Sequence, residues 1–395
     1  MAGTYQAYKG KLMKIALYLT DNKRRHDGVT TFLHETLKAF RSGENAAKAE
    51  LLGGALLSRK ENKEEISAAF QQIVPGVKVN LVKTAYPAVV LSRAEYLFKR
   101  NYDKIFGEKA DVYIFPVNFV PKNKPQGVTA VVIHDLIPLY RADLPGWMKH
   151  FYKKMYATAV KNADVIFTVS EYSESEILKH YPQAKGKIVV NYCGTDAAFF
   201  AEPVPAEKKK EVKEKKYNTG ENYFLFVGQD RDNKNLPRLL NAYALLPDEI
   251  RKNHKLVIAN HNPPLKEQAE KLNLPGIVLL DGIDNGDIAA VMQCAGALML
   301  VSTSEGFGLP LVEAMAAGVP AVTSGVSCLP EVAGGAALLA DPYSEQSIAD
   351  CMARVMTDEP LREELIAKGR ERAKAFTWEN TASVFVKEIG KLLCR

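Results

Sequence analysis

The chain has 395 residues, 47% hydrophobic and 25% charged, too long for one ordinary domain and suited to two, with the composition of a soluble globular protein. Its five cysteines, Cys193, Cys294, Cys328, Cys351 and Cys394, form no CxxC pair, which argues against a disulfide framework or a cysteine metal site and for reduced thiols in a cytoplasm. The net charge of +6 is uneven: residues 1–200 carry 29 Lys and Arg against 19 Asp and Glu, and the remainder carries 23 against 27. A basic first half suits an anionic acceptor, a nucleic acid or an anionic membrane surface. Ordinary surface charge for solubility would look the same.

No run approaches the roughly 20 apolar residues of a membrane span, and MAGTYQAYKGKL lacks the apolar core of a leader peptide. Met13 opens MKIALYLT, which reads as a natural start followed at once by a strand, so residues 1–12 are left outside the predicted fold. The segments 14–20, 112–117, 130–135, 164–170 and 187–192 are short, apolar on both faces and rich in β-branched residues, as buried parallel strands are. Helical periodicity spans 142–163 and 171–180. Segment 201–218 is rich in Lys, Glu and Pro and reads as a solvated, partly helical linker. Strands then resume at 223–228, 255–260, 277–282, 297–302 and 320–324, with helices between them. Gly318-Val319-Pro320 ends one of those helices. The expected class is α/β: two doubly wound, Rossmann-like parallel sheets over 13–200 and 219–376, with helix 377–393 returning to the first. Ligands of such sheets bind beyond the carboxyl ends of the strands, which predicts an interdomain cleft.

The most informative motif is SEGFGLPLVEAMAAG, 304–318. Glu305 precedes a turn of Gly306, Phe307 and Gly308, and a helix begins at Leu309. The glycines let backbone approach a ligand. The amides of Gly308, Leu309 and Leu311 are expected to lack internal partners and to bind an anion. Pro310 suits the first turn, where its missing N–H costs little. Glu313 follows Glu305 by eight residues, and a carboxylate beside such a turn suits sugar hydroxyls.

This Glu305-x7-Glu313 pattern, with its Ala/Gly-rich turn and PAVTS, resembles the retaining glycosyltransferases of family 4, the glycosyl transferases group 1, which have the GT-B fold. The resemblance runs from Met13 to about Leu393. It implies that Glu305 holds a hydroxyl of the donor sugar and Glu313 the ribose hydroxyls. In FVGQDRDNKNLPRLLNAY, 226–243, a strand ends at Gly228 and Lys234 matches the lysine that neutralises the departing diphosphate. The preceding position, usually arginine in the family, is Asn233, and Arg231 is the candidate substitute. His134, in AVVIHDLIPLY, matches a histidine that contacts the donor sugar near the reacting centre. Asp135 could orient it, cap the next turn or contact the acceptor. After the first strand, family members carry Gly-Gly near the diphosphate, whereas this chain has Asp27-Gly28. Gly28 keeps the donor-binding assignment. Asp27, Arg24 and Arg25 are assigned to the acceptor, with a mobile basic loop as the plainer reading.

The resemblance implies retention at the anomeric carbon, and the chain offers no convincing pair of close carboxylates for a double displacement. Asp230-Arg231-Asp232 fits the Asp-x-Asp metal pattern literally, but Lys234 and the helix start already supply positive charge, so no metal or other cofactor is expected. The resemblance is strongest to mannosyl- and rhamnosyl-transferring members that build bacterial surface polysaccharides. GDP-mannose is the first donor expected, then UDP- or dTDP-sugars. The acceptor is a glycan or a lipid-diphosphate-linked glycan, and the expected location is the cytoplasm or the inner face of its membrane. Competing readings are another GT-B enzyme such as an epimerase or phosphorylase, and a non-catalytic nucleotide-sugar-binding subunit. Nucleic acid is not expected as a partner, because aromatic-basic interleaving is missing.

Overall fold

The computed structural model describes residues 12–19, 28–42, 49–58, 60–73, 75–85, 101–200, 203–260, 263–273, 275–284 and 286–394. It divides into two compact units, residues 1–194 with 378–395, and residues 195–377.

Among the described residues, unit 1 has seven strands: β1 (Met13–Tyr18), β2 (Ala49–Leu57), β3 (Lys78–Lys83), β4 (Val112–Phe115), β5 (Val128–Val132), β6 (Val165–Thr168) and β7 (Ile188–Val190). Their order is β3-β2-β1-β4-β5-β6-β7, all parallel. The central strands are buried on both faces, the reason their sequences are apolar throughout. Two strands escape the reading of the sequence. β2 carries Gly53 and Gly54 at its middle, which mimics a turn; a Cβ at Gly54 would lie 2.5 Å from the Phe106 ring, so glycine is needed there for close packing. β3 is the sheet edge, with a lysine at each end.

The last helix, Trp378–Leu393, belongs to unit 1. Its buried residues, Trp378, Thr381, Ala382, Phe385, Val386 and Ile389, recur at helical spacing on one face. Phe385 packs against Phe167 at 4.2 Å between ring centroids and against Phe40 at 5.9 Å. Asn191 Nδ2 donates to Thr381 O at 3.1 Å, tying the helix to the end of β7.

Unit 2 is built on β8 (Tyr223–Phe226), β9 (Lys255–Ala259), β10 (Ile277–Leu280), β11 (Ala297–Leu300), β12 (Ala321–Ser324) and β13 (Leu338–Ala340), ordered β10-β9-β8-β11-β12-β13 and parallel. The strand order reverses between β8 and β11, which makes their carboxyl ends the expected ligand position of a doubly wound sheet.

The linker reading of 201–218 is corrected. Ala206–Lys210 is α-helical and Glu211–Lys216 continues it as a π-helix within unit 2. Val212 is buried. Lys208 Nζ and Lys216 Nζ reach the two oxygens of buried Asp287 at 2.8 and 2.5 Å, and the Tyr217 hydroxyl donates to Asp287 at 2.9 Å. These partners, Lys208 foremost, hold the Asp287 carboxyl well below the usual range. Lysines that composition assigns to solvent are thus fastening the segment to the helix Ile288–Cys294.

Candidate functional site

In unit 2 the chain leaves β8 through Gly228 at φ +155°, where a Cβ would press on the Phe226 ring at 3.2 Å. It then forms a single 3-10 turn, Asp232–Lys234. Asn235 follows in the left-handed region at φ +62° and opens the helix Leu236–Leu245. Its buried amide donates to Val301 O at 3.0 Å and Pro342 O at 2.7 Å. Asn233 Nδ2 donates to Ser304 O at 2.8 Å, and Thr303 N–H donates to Asn233 O at 2.8 Å. The loop after β8 is therefore sewn to the loop after β11, and Asn233, at the position the family usually fills with arginine, is a structural tie.

This stitching brings Lys234 Nζ to 2.6 Å from Glu305 Oε1, with side-chain exposures of 15% and 9%. The Ser302 hydroxyl donates to the same oxygen at 2.6 Å. Glu305 N–H donates to Ser327 Oγ at 3.3 Å, and Cys328 Sγ donates to Glu305 O at 3.2 Å. Arg231 is not brought to this pair; its guanidinium is exposed and donates to Gln229.

Beyond Glu305, Gly308 sits at φ +90° with no room for a side chain, because a Cβ would meet Leu329 Cδ2 at 2.8 Å. Two details differ from the expected turn. The ring of Phe307 is buried against Phe376 at 5.5 Å, so this residue can serve a ligand only through its backbone. Leu311 N–H is not free, because it donates to Gly308 O at 2.9 Å. The left-handed Gly308 starts the helix Leu309–Ala317 with a tight turn that uses that amide, and Pro310 has none. Gly308 and Leu309 remain as the amides of the anion position.

Glu313 lies on the second turn of this helix, partly exposed, with no hydrogen-bond or ion-pair partner among the described residues. Burial pushes its carboxyl up to about 7, with Asp196 adding repulsion. Among the described residues no group of three or more His, Cys, Asp or Glu is arranged to hold a metal.

In unit 1, His134 lies two residues beyond the end of β5. Its Nε2 lies 2.9 Å from Pro116 O, and a carbonyl only accepts, so this nitrogen carries the proton. Its backbone N–H donates to Asn118 Oδ1, and its ring packs edge-on to Phe32 at 4.9 Å. Asp135 caps the next turn, its Oδ1 accepting from Ile137 N–H at 2.9 Å. Gly28 is the first residue of the helix Gly28–Phe40. Asp27, Arg24 and Arg25 lie outside the described residues.

Reading the sequence missed Ser302 altogether, and it missed the contacts by which Ser327 and Cys328 hold Glu305 and by which the Asn235 side chain ties the two loops. Ser302 was the most accessible of these, a polar residue closing an apolar strand three positions before Glu305.

The description of the family "Glycosyl transferases group 1" matches residues 207–372. The O-antigen chain mannosyltransferase B of Escherichia coli is 31% identical over 282 residues, 68% of this chain and 71% of that protein. The serotype-specific mannosyltransferase WbdA of Escherichia coli is 27% identical over 288 residues, 69% of this chain but only 35% of WbdA. In fold, the crystal structure of WaaG, a glycosyltransferase involved in lipopolysaccharide biosynthesis, superposes with a TM-score of 0.72 at 17% identity, over 95% of this chain and 99% of that one. The chain is thus a glycosyltransferase with the GT-B fold, and it belongs to the glycosyl transferases group 1.

Proposed function

We propose that this enzyme transfers a hexose, mannose from GDP-mannose first, to a glycan or lipid-diphosphate-linked acceptor in bacterial surface polysaccharide synthesis. It does so with retention and without a metal. The observation that carries the reading is the Lys234–Glu305 pair at the β8–β11 reversal, followed along the chain by two helix-start amides and by Glu313, whose carboxyl has no partner among the described residues. Negative charge grows on the departing diphosphate in the transition state, where Lys234 and the amides of Gly308 and Leu309 offset it. Glu305 accepts from a sugar hydroxyl and Glu313 from the ribose. The attacking acceptor hydroxyl gives its proton to an oxygen of the leaving diphosphate, so no side chain acts as general base. For His134 the reading rests on the family resemblance. The mannose preference is supported by the likeness to the two Escherichia coli mannosyltransferases.

Contact with an anionic membrane has its own support. The helix Gly146–Asn162 contains no acidic residue. Trp147 is 63% exposed, and His150, Lys154 and Lys161 follow it at spacings that share its face. Such a face suits acidic headgroups, with the indole at their boundary with the acyl chains. No helix among the described residues is long and apolar enough to cross a membrane.

The test is thermal shift in EDTA against GDP-mannose, UDP-glucose and dTDP-rhamnose, followed by product analysis with an acceptor glycan. A donor that raises Tm for the wild type and not for Glu313→Ala supports the site. Binding without transfer would instead favour a non-catalytic subunit. No shift from any donor, with or without magnesium, overturns the reading.

A further inference from the structure

We infer that Ser302 is a positioning residue for glycosyl transfer, and that it sets which oxygen of Glu305 meets the donor sugar. The inference rests on the donor-site reading above.

Ser302 is fully buried at the end of β11, and its hydroxyl donates to Glu305 Oε1 at 2.6 Å. Lys234 Nζ reaches the same oxygen at the same distance. Two protein donors therefore converge on Oε1, while Oε2 has no partner among the described residues. A carboxylate has about four acceptor positions. Using two of them on one oxygen fixes the plane of the group and leaves the other oxygen for a ligand hydroxyl. Without Ser302 the carboxylate could turn about its last bond and offer either oxygen to Lys234.

The backbone of Glu305 is held from the other side. Its N–H donates to Ser327 Oγ, and its carbonyl accepts from Cys328 Sγ. Ser327 sits at φ +57°, a left-handed conformation that a serine adopts only where surrounding structure holds it there. Its strain falls on the residue whose hydroxyl anchors Glu305. The loops after three adjacent strands, β8, β11 and β12, thus each supply a contact to one glutamate: Lys234, Ser302, and Ser327 with Cys328. A buried serine needs some partner in any case, so a purely structural role must be separated from positioning.

Ser302→Ala, Ser302→Cys and Ser302→Thr are compared by calorimetry with a nucleoside diphosphate and with its sugar, and by steady-state kinetics. The sugar alone reaches Glu305. Positioning predicts that Ser302→Ala binds the diphosphate within about twofold of wild type. Transfer and sugar-dependent affinity fall roughly tenfold to a hundredfold, the effect of one hydrogen bond to a charged group. Ser302→Thr, which keeps the hydroxyl, recovers most of the loss, and Ser302→Cys, a poor donor, does not. If the Ala variant fails to fold, the Thr and Cys pair carries the comparison. Equal loss of diphosphate and sugar binding, in step with a lower Tm, overturns the assignment, as does an unchanged kcat. A wild type that binds neither nucleoside diphosphate nor nucleotide sugar defeats the donor-site reading and this assignment with it.

Discussion

Glu313→Gln is expected to stabilise the ligand-free protein increasingly as the pH rises. The Glu313 carboxyl is raised from 4.5 to about 7, first by loss of hydration and then by repulsion from Asp196. An acid raised in this way keeps its proton in the folded chain after the unfolded chain has lost it. The folded state therefore binds the extra proton between about 4.5 and 7, and stability falls with rising pH across that window. Below 4.5 the group is neutral in both states and costs nothing; above about 7 it is charged in both and the full cost is present. At about 1.36 kcal/mol for each tenfold change in proton affinity, the ceiling is roughly 3 kcal/mol. Glu313 keeps part of its surface in water, so about 2 kcal/mol is the working figure. For a unit of this size that corresponds to a Tm higher by roughly 4–8 °C than wild type at alkaline pH, with almost no difference in acid. Differential scanning calorimetry of both proteins across that range reads the offset, and other titrating groups cancel between them. An offset that is the same in acid and alkali, or a glutamine variant less stable in alkali, refutes the argument. Donor binding should move oppositely. Hydroxyls donating to Glu313 favour its carboxylate, so donor affinity rises as pH approaches 7 and protons are released on binding below it.

Three further outcomes follow from other parts of the molecule. Thr36 Oγ1 is buried without a hydrogen-bond partner among the described residues, beside an apolar cavity lined by Leu17, Phe32, Leu33, Phe40 and Phe385. Thr36→Val should therefore raise stability by about 1 kcal/mol, and an unchanged or lower urea midpoint would show that the hydroxyl is not a liability. Asp287→Ala removes the shared partner of Lys208, Lys216 and Tyr217. It should lower stability by about 2–3 kcal/mol and expose 206–217 to protease; cleavage at the wild-type rate would mean the segment is held by other contacts. Reversing Lys154 and Lys161 to Glu with Trp147→Ala should abolish sedimentation with phosphatidylglycerol vesicles at low salt, since each surface lysine contributes about 1 kcal/mol. Binding that survives both the triple change and high salt would place the membrane contact elsewhere.

What could be read from the sequence follows from which contacts are local. Strands such as Val112–Phe115 and Ala297–Leu300 declare themselves because burial on both faces demands an uninterrupted apolar run. β2 does not, because the reason for Gly54 lies in the ring of Phe106, far along the chain. The 201–218 segment has the composition of a linker, and nothing in composition tells which of its lysines meets Asp287. The site divides in the same way. Glu305, Glu313 and Lys234 stand in a recognisable pattern, whereas Ser327, 22 residues from Glu305 in sequence, reaches its backbone only because β11 and β12 are neighbouring strands.

The correction at Leu311 changes the electrostatics of the proposed reaction. With that amide turned back to Gly308 O, the helix start offers a phosphate the N–H groups of Gly308 and Leu309. More of the charge on a leaving diphosphate must then be met by Lys234. Lys234 is already paired with Glu305, the group assigned to the sugar. A diphosphate and a carboxylate sharing one ammonium are linked: as negative charge grows on the leaving group, Lys234 is drawn toward it and Glu305 turns more of its own charge to the sugar, where positive charge is forming. Glu305→Gln would weaken the hold on Lys234 as well as on the sugar, and Lys234→Ala would leave a buried carboxylate with Ser302 as its remaining side-chain donor. The two changes should therefore be non-additive, the double variant losing less transfer than the product of the single losses.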